Sequence, residues 1–298
     1  NLNLGVPGIM YIGAIASLAG ALKFEAAFAS PNAILCVLVA LLCGFAASAL
    51  AGLLYAFLTI SLRTNQNVTG LTLTIFGTGI GNYIGGSLGS VGTVCATNTS
   101  AAMKAYIRPL VQWLDGLTDK LNIGSLLFRH GFMVYFGILL AIALWYFLTK
   151  TRTGLSLRAV GENAATADAA GLNVNKFKYL STCIGAGISG LGGTYYVMNY
   201  IKGTWENQGT IEALGWLAVA LVIFATWKSL RAIWGSYLFG VLYWAYNYIP
   251  GLSRSTLELF KMLPYVVTIL VLLMVSMRKK KEDEPPQSLG IPYFREER

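Results

Sequence analysis

The sequence predicts an all-α membrane protein, a polytopic helical bundle, on three observations. Hydrophobic residues make up 55% of the 298 residues and charged residues only 12%, where soluble domains carry about 25% charged residues. The charged residues lie outside a series of long apolar windows. Most of these windows approach the roughly 20 residues that a helix needs to cross a bilayer. Glycine occurs 33 times and permits close contact between helices in lipid.

The apolar windows predict about eight membrane spans of ordinary transmembrane length. The segment 33–60 is long enough to tilt or kink, and 213–227 is the shortest. Glycines cluster within two of the segments, which favours helices packed through small residues over barrel strands. The predicted spans are residues 6–22, 33–60, 68–85, 132–149, 179–200, 213–227, 232–249 and 263–277. The clustered glycines are Gly77, Gly79, Gly81, Gly185, Gly187, Gly190, Gly192 and Gly193.

The regions outside the spans complete the predicted organisation. Residues 1–277 form a membrane domain, and residues 278–298 form a polar tail. The connection 86–131 is long for a structureless loop. Its first part is apolar enough to dip into the membrane, and its second part has one apolar face, which is typical of a helix on the membrane surface. The chain opens on Asn1 without an initiator methionine, which is compatible with a missing amino-terminal piece.

Lysines and arginines are distributed unequally between the two sides of the predicted bundle. Positively charged loops are retained in the cytoplasm, so the richer set of loops is assigned there. That set includes the loop 150–178 and the carboxyl terminus, which is therefore predicted to be cytoplasmic. The net charge of +9 then reflects orientation and anionic membrane lipid, and no nucleic-acid partner is needed to explain it. The richer set is Arg63, Lys150, Arg152, Arg158, Lys176, Lys178, Lys228, Arg231 and Arg278 to Lys281.

Sequence motifs for catalysis are nearly absent. His130 stands at the border of a span, and neither an HExxH nor a GxxxxGK pattern occurs. The sequence therefore lacks the motifs used for metal-dependent hydrolysis and for direct hydrolysis of a nucleotide. Gly185, Gly187 and Gly190 spell GxGxxG, but inside an apolar helix rather than after a strand, so the pattern indicates helix packing. The cysteines are expected to be buried, inert thiols. We expect no catalytic site, metal or cofactor in this chain.

Neutral polar residues, rather than ionisable ones, occupy the interiors of the spans. Because ion-coupled carriers and pumps usually place a carboxylate or histidine inside the membrane, a proton-coupled carrier is disfavoured. Thr74, Thr78 and Asn82 recur at four-residue spacing and so share one helix face, which we call the polar stripe. The stripe is suited to a neutral polar ligand on a translocation pathway, and equally to hydrogen bonds between helices. The sequence leaves both interpretations open.

The loop 150–178 combines charge, glycine and alanine. Asn163 is placed to cap a helix over residues 164–170, and Gly171 is placed to end it, which predicts about two turns. A helix that short is marginal by itself. Its surface is mainly alanine, with Thr166 and Asp168. Two interpretations follow, a solvated connector between spans or a narrow ridge that docks in a groove of another protein.

Four segments in a fixed order carry a resemblance to a known family. They are NLNLGVPGIMYIGA at the start, the loop RAVGENAATADAAGLNV, the late pair WKSLR and LPYVVTILVL, and the tail PPQSLGIPYFREER. Together they resemble the permease subunit of bacterial ATP-driven (ABC) importers, in the branched-chain amino acid, ribose and nucleoside family. Within that family the chain looks most like the nucleoside and simple-sugar branch. The resemblance covers nearly all of the chain and lacks only the family's usual first span.

The resemblance implies a type II importer fold and a division of labour among subunits. A pair of cytoplasmic ATP-binding subunits drives two permease subunits, the second usually a related chain, between inward-open and outward-open states. An external substrate-binding protein, often a lipoprotein, delivers the ligand. The loop 150–178 resembles the family's coupling helix, which docks on the ATPase. The residues that the resemblance assigns to coupling are Arg158, Gly161, Glu162, Asn163, Asp168, Ala169 and Gly171.

One residue departs from the family pattern. Pro7 stands where the family commonly has glutamate, so no ligand or gating role is assigned to this position. Proline suits the first turn of a helix, and the flanking glycines are compatible with a broken half-helix here. Asn3 matches the family motif and is assigned, with Asn1, to the substrate pathway, although a cap or a chain end explains both equally well. Asn199 and the polar stripe complete the pathway candidates.

The expected function is that of a permease subunit without a catalytic site of its own. It moves nucleosides or simple sugars across the bacterial cell (inner) membrane by alternating access, powered by a separate ATPase subunit. The main alternative is a secondary carrier that moves a small neutral polar solute without ATP. A membrane scaffold that transports nothing is the third possibility.

Overall fold

Residues 2–28, 32–88, 130–205, 209–249, 254–278 and 285–294, with positions 109, 112 and 251, are described by a computed structural model. Over these residues the chain is all-α, as expected, with eleven α-helices and no strand. Most of the connection 86–131, with its predicted surface helix, lies outside the described residues. The helices are α1 (Val6–Ala27), α2 (Ala33–Ala56), α3 (Gln66–Leu88), α4 (Phe132–Lys150), α5 (Arg152–Glu162), α6 (Ala164–Ala169), α7 (Val174–Tyr195), α8 (Thr210–Phe224), α9 (Ser229–Trp244), α10 (Arg254–Lys261) and α11 (Leu263–Arg278).

Every apolar segment predicted from the sequence falls on a helix. Three helical stretches are long and apolar enough to cross a membrane, namely Val6–Ala27, Ile34–Ser61 and Phe132–Lys150. Two shorter apolar helices are Thr210–Phe224 and Leu263–Leu273. Because backbone N–H and C=O groups find no water in lipid, such apolar segments must bond their backbones internally, as helices do. The helices therefore indicate an integral membrane protein.

Helix α1 lies at the centre of the bundle, where it contacts α2, α3, α7 and α8. Its buried side chains occur on every face rather than along one stripe, because other helices cover all of its sides. Close approach to α3 depends on glycine. A Cβ at Gly8 would lie 2.6 Å from the Cα of Thr74, and one at Gly77 would lie 2.5 Å from the Cα of Gly8. The predicted packing through small residues is confirmed at this contact.

The GxGxxG pattern in α7 also packs helices together. A Cβ at Gly187 would lie 2.5 Å from the ring of Phe45, and one at Gly190 would overlap the Ser48 side chain. Both partners belong to α2, the helix with which α7 makes its most extensive contact. Gly185 faces open space among the described residues. The interpretation as helix packing is therefore confirmed for two of the three glycines.

Two long helices end in π-helical turns, Phe57–Ser61 after α2 and Tyr196–Tyr200 after α7. In the first turn the Thr59 hydroxyl donates a hydrogen bond to the Tyr55 carbonyl oxygen, 2.8 Å away. The distortion expected in the long segment 33–60 is thus a π-turn at its end. Wider turns of this kind occur frequently at functional sites.

Pro7 is the second residue of α1 and does not interrupt the helix. It lies in the first turn of the helix, where an N–H group would have no intrahelical partner. The side chain is fully buried, and a Cβ at Gly215 of α8 would lie 2.6 Å from its Cα. Helix α1 then runs without a break to Ala27. The described residues show a helix start at this place, and a glutamate in place of Pro7 would be forced against α8.

The remaining helices form a second group beside the central one. Helices α8, α9 and α11 contact one another, and α9 also contacts α4. None of the residues of α4 is buried. The sides of α4 that the described residues leave uncovered are therefore available to lipid or to another chain.

The tail returns to the end of the bundle that carries α5 and α6. Among residues 285–294, the Ser288 N–H donates a hydrogen bond to the carbonyl oxygen of Gly161, 3.0 Å away. Tyr293 packs against the small apolar cluster beneath α6. The tail thereby joins the surface formed by the loop 150–178.

Candidate coupling surface and polar pathway

Side-chain caps start both helices of the loop 150–178. The Asn163 Oδ1 accepts a hydrogen bond from the Thr166 N–H, 3.0 Å away, at the start of α6, which confirms the predicted cap. The Thr151 Oγ1 accepts one from the Gly154 N–H, also 3.0 Å away, at the start of α5. Helix α5, which is 11 residues long, was not predicted. Thr151 was the available signal, but the nearby glycines favoured a loop.

The end of α6 is a Schellman motif. The Leu172 N–H donates to the Ala167 carbonyl oxygen at 3.0 Å, and the Gly171 N–H donates to the Asp168 carbonyl oxygen at 2.9 Å. Gly171 has a φ of 85°, a left-handed conformation that glycine adopts at little cost. The prediction that Gly171 ends this helix is confirmed.

Helix α6 has a buried face and an exposed face. Ala164 and Ala167 are buried in a cluster with Val160 of α5 and Val174 of α7. The opposite face is exposed and carries no side chain larger than threonine. We call this face the alanine ridge, and its residues are Ala165, Thr166, Ala169 and Ala170.

Polar and charged groups flank the alanine ridge. Arg158 and Glu162 are exposed on α5, Asp168 is half-buried on α6, and Gly161 is half-buried beside the tail. Both signs of charge therefore border a smooth apolar surface, an arrangement that lets a partner bind with defined orientation. The seven residues assigned to coupling all lie in α5, in α6 or within two residues of α6.

The three residues of the polar stripe differ in what their polar atoms contact. The Thr74 hydroxyl is buried and donates to the carbonyl oxygen of Leu4, 3.1 Å away, which ties α3 to the segment before α1. The Thr78 hydroxyl donates to the Thr74 carbonyl oxygen of its own helix, at 2.9 Å. The Asn82 Oδ1 is buried without a hydrogen-bond partner among the described residues. Asn82 is thus the member of the stripe with polar capacity left for another group.

Asn3 forms a local turn before α1. Its Oδ1 accepts a hydrogen bond from the Gly5 N–H, 2.8 Å away, in an Asx-type turn. The preceding residue is held in place as well, because the Leu2 N–H donates to the Gln66 Oε1 at 2.6 Å. The side-chain contact of Asn3 is thus local, and it does not cap α1. Asn1 lies outside the described residues.

Asn199 lies in the π-turn after α7, far from the coupling surface. By the rise of a helix it stands about 30 Å from Lys178 at the start of α7. With Thr194 it lines a cavity of about 20 Å³ between α2, α4 and α7. That volume has room for a water molecule but not for an organic ligand. No residue of the polar stripe lines this cavity.

The described residues do not assemble a metal site. Within the ranges described, no three histidine, cysteine, aspartate or glutamate side chains group together. Cys36 is buried, and Cys43 and Cys183 are partly buried in apolar helices. The arrangement presents surfaces and a polar stripe, which suit docking and passage of a ligand.

The contacts of the tail were missed at the level of sequence. The Arg63 guanidinium lies over the Phe294 ring, 4.4 Å from its centroid. The Lys178 Nζ lies 5.7 Å from the centroid of the Tyr293 ring. The available signal was the pair of adjacent aromatic residues in a tail rich in charged residues, since a solvated tail has no need of aromatic side chains.

Comparison with known proteins identifies relatives along the whole chain. Residues 1–272 match the family described as branched-chain amino acid transport system / permease component. The chain is 35% identical over 242 residues to a putative glucose ABC transporter permease of Haloferax volcanii, covering 81% of this chain and 67% of the relative. It is 32% identical over 275 residues to the nucleoside ABC transporter permease NupC of Lactococcus lactis, covering 91% of this chain and 82% of the relative. It is 30% identical over 312 residues to the guanosine ABC transporter permease NupQ of Bacillus subtilis, covering 100% of this chain and 89% of the relative.

No solved structure matches the chain. The family model and the relatives agree with the helical bundle and with the resemblance seen in the sequence motifs. Proteins of this kind are transport components, which in general work with an ATP-binding subunit and a substrate-binding protein. The chain therefore belongs to the branched-chain amino acid transport system permease family, the membrane-spanning permease components of ABC transporters.

Proposed function

We propose that this permease subunit serves an ATP-driven importer whose ligand is a nucleoside or a simple sugar. The relatives are named as permeases for nucleosides, guanosine and glucose. Such ligands are neutral and rich in hydroxyl groups. They can be recognised by neutral polar side chains, so a pathway with threonine and asparagine and without charge suits them.

The alanine ridge is the surface that docks on the ATP-binding subunit. The observation that carries this proposal is the two-sided construction of α6. Its exposed face is smooth, while Ala164 and Ala167 anchor the other face to α5 and α7. Because α6 is anchored in this way, displacement of the ridge by a bound partner is passed to the helical bundle. Arg158 and Glu162 supply polar contacts at its border.

The end of the bundle that carries α5, α6 and the carboxyl-terminal tail faces the cytoplasm. The positive-inside rule supports this orientation, because the lysine- and arginine-rich loops meet at this end. A second, related permease subunit completes the membrane domain, and an external substrate-binding protein delivers the ligand. The membrane is that of a bacterial cell.

The ligand passes along α3. Asn82 is the residue whose polar atom has capacity for a ligand, with Thr78 one helical turn away. Thr74 contributes mainly by holding the segment before α1. Asn1, Asn3 and Asn199 are the remaining pathway candidates, and the contacts of Asn3 and Asn199 favour a structural role for both.

The test uses the permease reconstituted in vesicles with its ATP-binding subunits and substrate-binding protein. Gly171→Val places a β-branched residue at a φ of 85°, which costs about 1–2 kcal/mol and displaces the end of α6. Glu162→Arg reverses an exposed charge beside the ridge. We expect both variants to fold, to dock more weakly on the ATPase, and to take up less ligand per ATP hydrolysed.

The matched control is Glu258→Arg, a charge reversal at an exposed ion pair with Lys261 on α10. Exposed pairs contribute little, so uptake by this variant should remain normal. Normal uptake and stimulated hydrolysis in both loop variants would show that α6 is not the coupling element. If the unmodified complex takes up neither labelled nucleosides nor labelled sugars, the proposed ligand class is wrong.

A further inference from the structure

The tail supplies hydrogen bonds that α5 lacks at its end. The last four carbonyl groups of a helix have no partner within it. The Ser288 N–H donates to the Gly161 carbonyl oxygen at 3.0 Å, and the Ser288 hydroxyl donates to the Glu162 carbonyl oxygen, also at 3.0 Å. One tail residue thus satisfies two carbonyl groups at the junction between α5 and α6.

An aromatic residue of the tail completes the apolar cluster beneath the alanine ridge. Tyr293 packs on the cluster formed by Val160, Ala164, Ala167 and Val174, all of which are buried. These residues come from α5, α6 and α7 in turn. The tail therefore covers the face of α6 that is opposite to the proposed docking face.

Two cations from different elements hold the aromatic pair of the tail. Arg63, which follows the π-turn after α2, lies over the Phe294 ring at 4.4 Å. Lys178, buried at the start of α7, lies 5.7 Å from the Tyr293 ring. Both distances fall within the range of cation–π contacts. Gln66 of α3 lines a small cavity together with Lys178 and Tyr293, so α3 meets the tail here as well.

Helix α6 needs such support because it has only six residues. Helices of this length are not stable without tertiary contacts. The four-residue connection 170–173 joins it to α7 and is its direct covalent link to that helix. The tail bypasses that link, because it contacts the α5–α6 junction, the start of α7 and the turn after α2 at once.

We infer that tail residues 286–294 are a brace that fixes the coupling loop to the helical bundle, so that movement of a docked ATP-binding subunit reaches α2 and α7. The inference rests on the proposed coupling function of the alanine ridge. Tyr293 and Phe294 act as positioning residues, since they touch neither ligand nor ATP. The brace stays in place throughout the transport cycle.

The first experiment replaces the aromatic pair in the reconstituted complex. With Tyr293→Ala and Phe294→Ala combined, ligand transported per ATP hydrolysed should fall about fivefold or more, the lower end of ordinary coupling between sites. Tyr293→Phe keeps the ring and should retain normal coupling. The matched control is Ile291→Ala in the same tail, whose side chain is 57% exposed and should be dispensable.

The melting temperature of the assembled complex separates positioning from simple stabilisation. A lower melting temperature with an unchanged ratio of transport to hydrolysis in the double variant overturns the inference. Gly171→Val is measured in parallel. If that variant is uncoupled and the tail variant is not, only the brace is rejected. If neither variant affects coupling, both the brace and the proposed coupling function of the alanine ridge are rejected.

The second experiment asks whether the tail stays on the loop. In a background without Cys36, Cys43, Cys95 and Cys183, the pair Gly161→Cys and Pro286→Cys allows a disulfide, because a Cβ at Gly161 would lie 3.8 Å from the Cβ of Pro286. Comparing the oxidised with the reduced form of this one variant cancels any effect of the substitutions themselves. We expect the oxidised complex to transport as well as the reduced one. Loss of transport on oxidation, with recovery on reduction, would show that the tail must leave the loop and would overturn the brace.

Discussion

Thr74 and Asn82 are both polar residues of α3, yet their surroundings give them different roles. Thr74 has a partner, the carbonyl oxygen of Leu4, and its hydroxyl is buried in that contact. The buried Oδ1 of Asn82 has none among the described residues. A buried polar atom without a partner reduces stability, so its presence here is explained if a ligand uses it.

We expect Thr74→Val and Asn82→Leu to affect different measurements. Thr74→Val should lower the stability of the complex by about 0.6 kcal/mol, and at most about 2 kcal/mol, because the hydrogen bond from α3 to Leu4 is lost within the membrane domain. Asn82→Leu should leave the melting temperature unchanged or higher while uptake falls. Both properties are measured on the same preparation. Unchanged uptake with a destabilised Asn82→Leu complex would assign this residue to structure.

At the scale of the element, the contact between α1 and α3 depends on where glycine is placed. Gly77 meets the backbone of Gly8 directly, whereas Gly79, two residues on, faces open space among the described residues. The two glycines are equivalent in the sequence pattern. Only their positions around the axis of α3 distinguish them, because residues two apart on a helix point in different directions.

Alanine substitution of these two glycines should separate packing from backbone effects. Gly77→Ala should destabilise the solubilised protein by about 1–3 kcal/mol, because the added methyl group forces α1 and α3 apart. Gly79→Ala should be neutral or stabilising by up to about 1 kcal/mol, because alanine favours the helix. Thermal unfolding of the two variants in the same detergent measures the difference. Equal melting temperatures would contradict this account of the contact.

At the scale of the whole molecule, Arg63, Lys178 and the coupling surface lie at the same end. Arg63 and Lys178 meet the tail there, next to α5 and α6. The opposite end carries the π-turn after α7 and the exposed Lys202. If the orientation is correct, the two ends differ in their access to reagents that cannot cross the membrane.

Cysteine labelling in intact cells measures that access. In a background without native cysteines, Ala165→Cys should react with an impermeant thiol reagent only after the cytoplasmic face has been opened. Lys202→Cys should react in intact cells. The reverse pattern would contradict the orientation, and with it the assignment of the alanine ridge to an ATPase on the cytoplasmic side.

The sequence by itself determined the all-α class, the location of the apolar helices and the ends of α6. In lipid an apolar segment must form its backbone hydrogen bonds internally, as a helix does. Composition and segment length are therefore enough to predict the all-α class and the location of the apolar helices. Caps are local as well, since Asn163 and Gly171 act on residues within a few positions of themselves. The family motifs added the expectation of a coupling loop.

Only the tertiary structure decided which surfaces these elements share. It placed Pro7 against Gly215, distinguished Asn82 from Thr74, and brought the tail onto the coupling loop. Ser288 and Glu162 are 126 positions apart. Contacts over such separations leave no periodic or local signal in a single chain, because they arise from the packing of whole helices and not from the preferences of neighbouring residues.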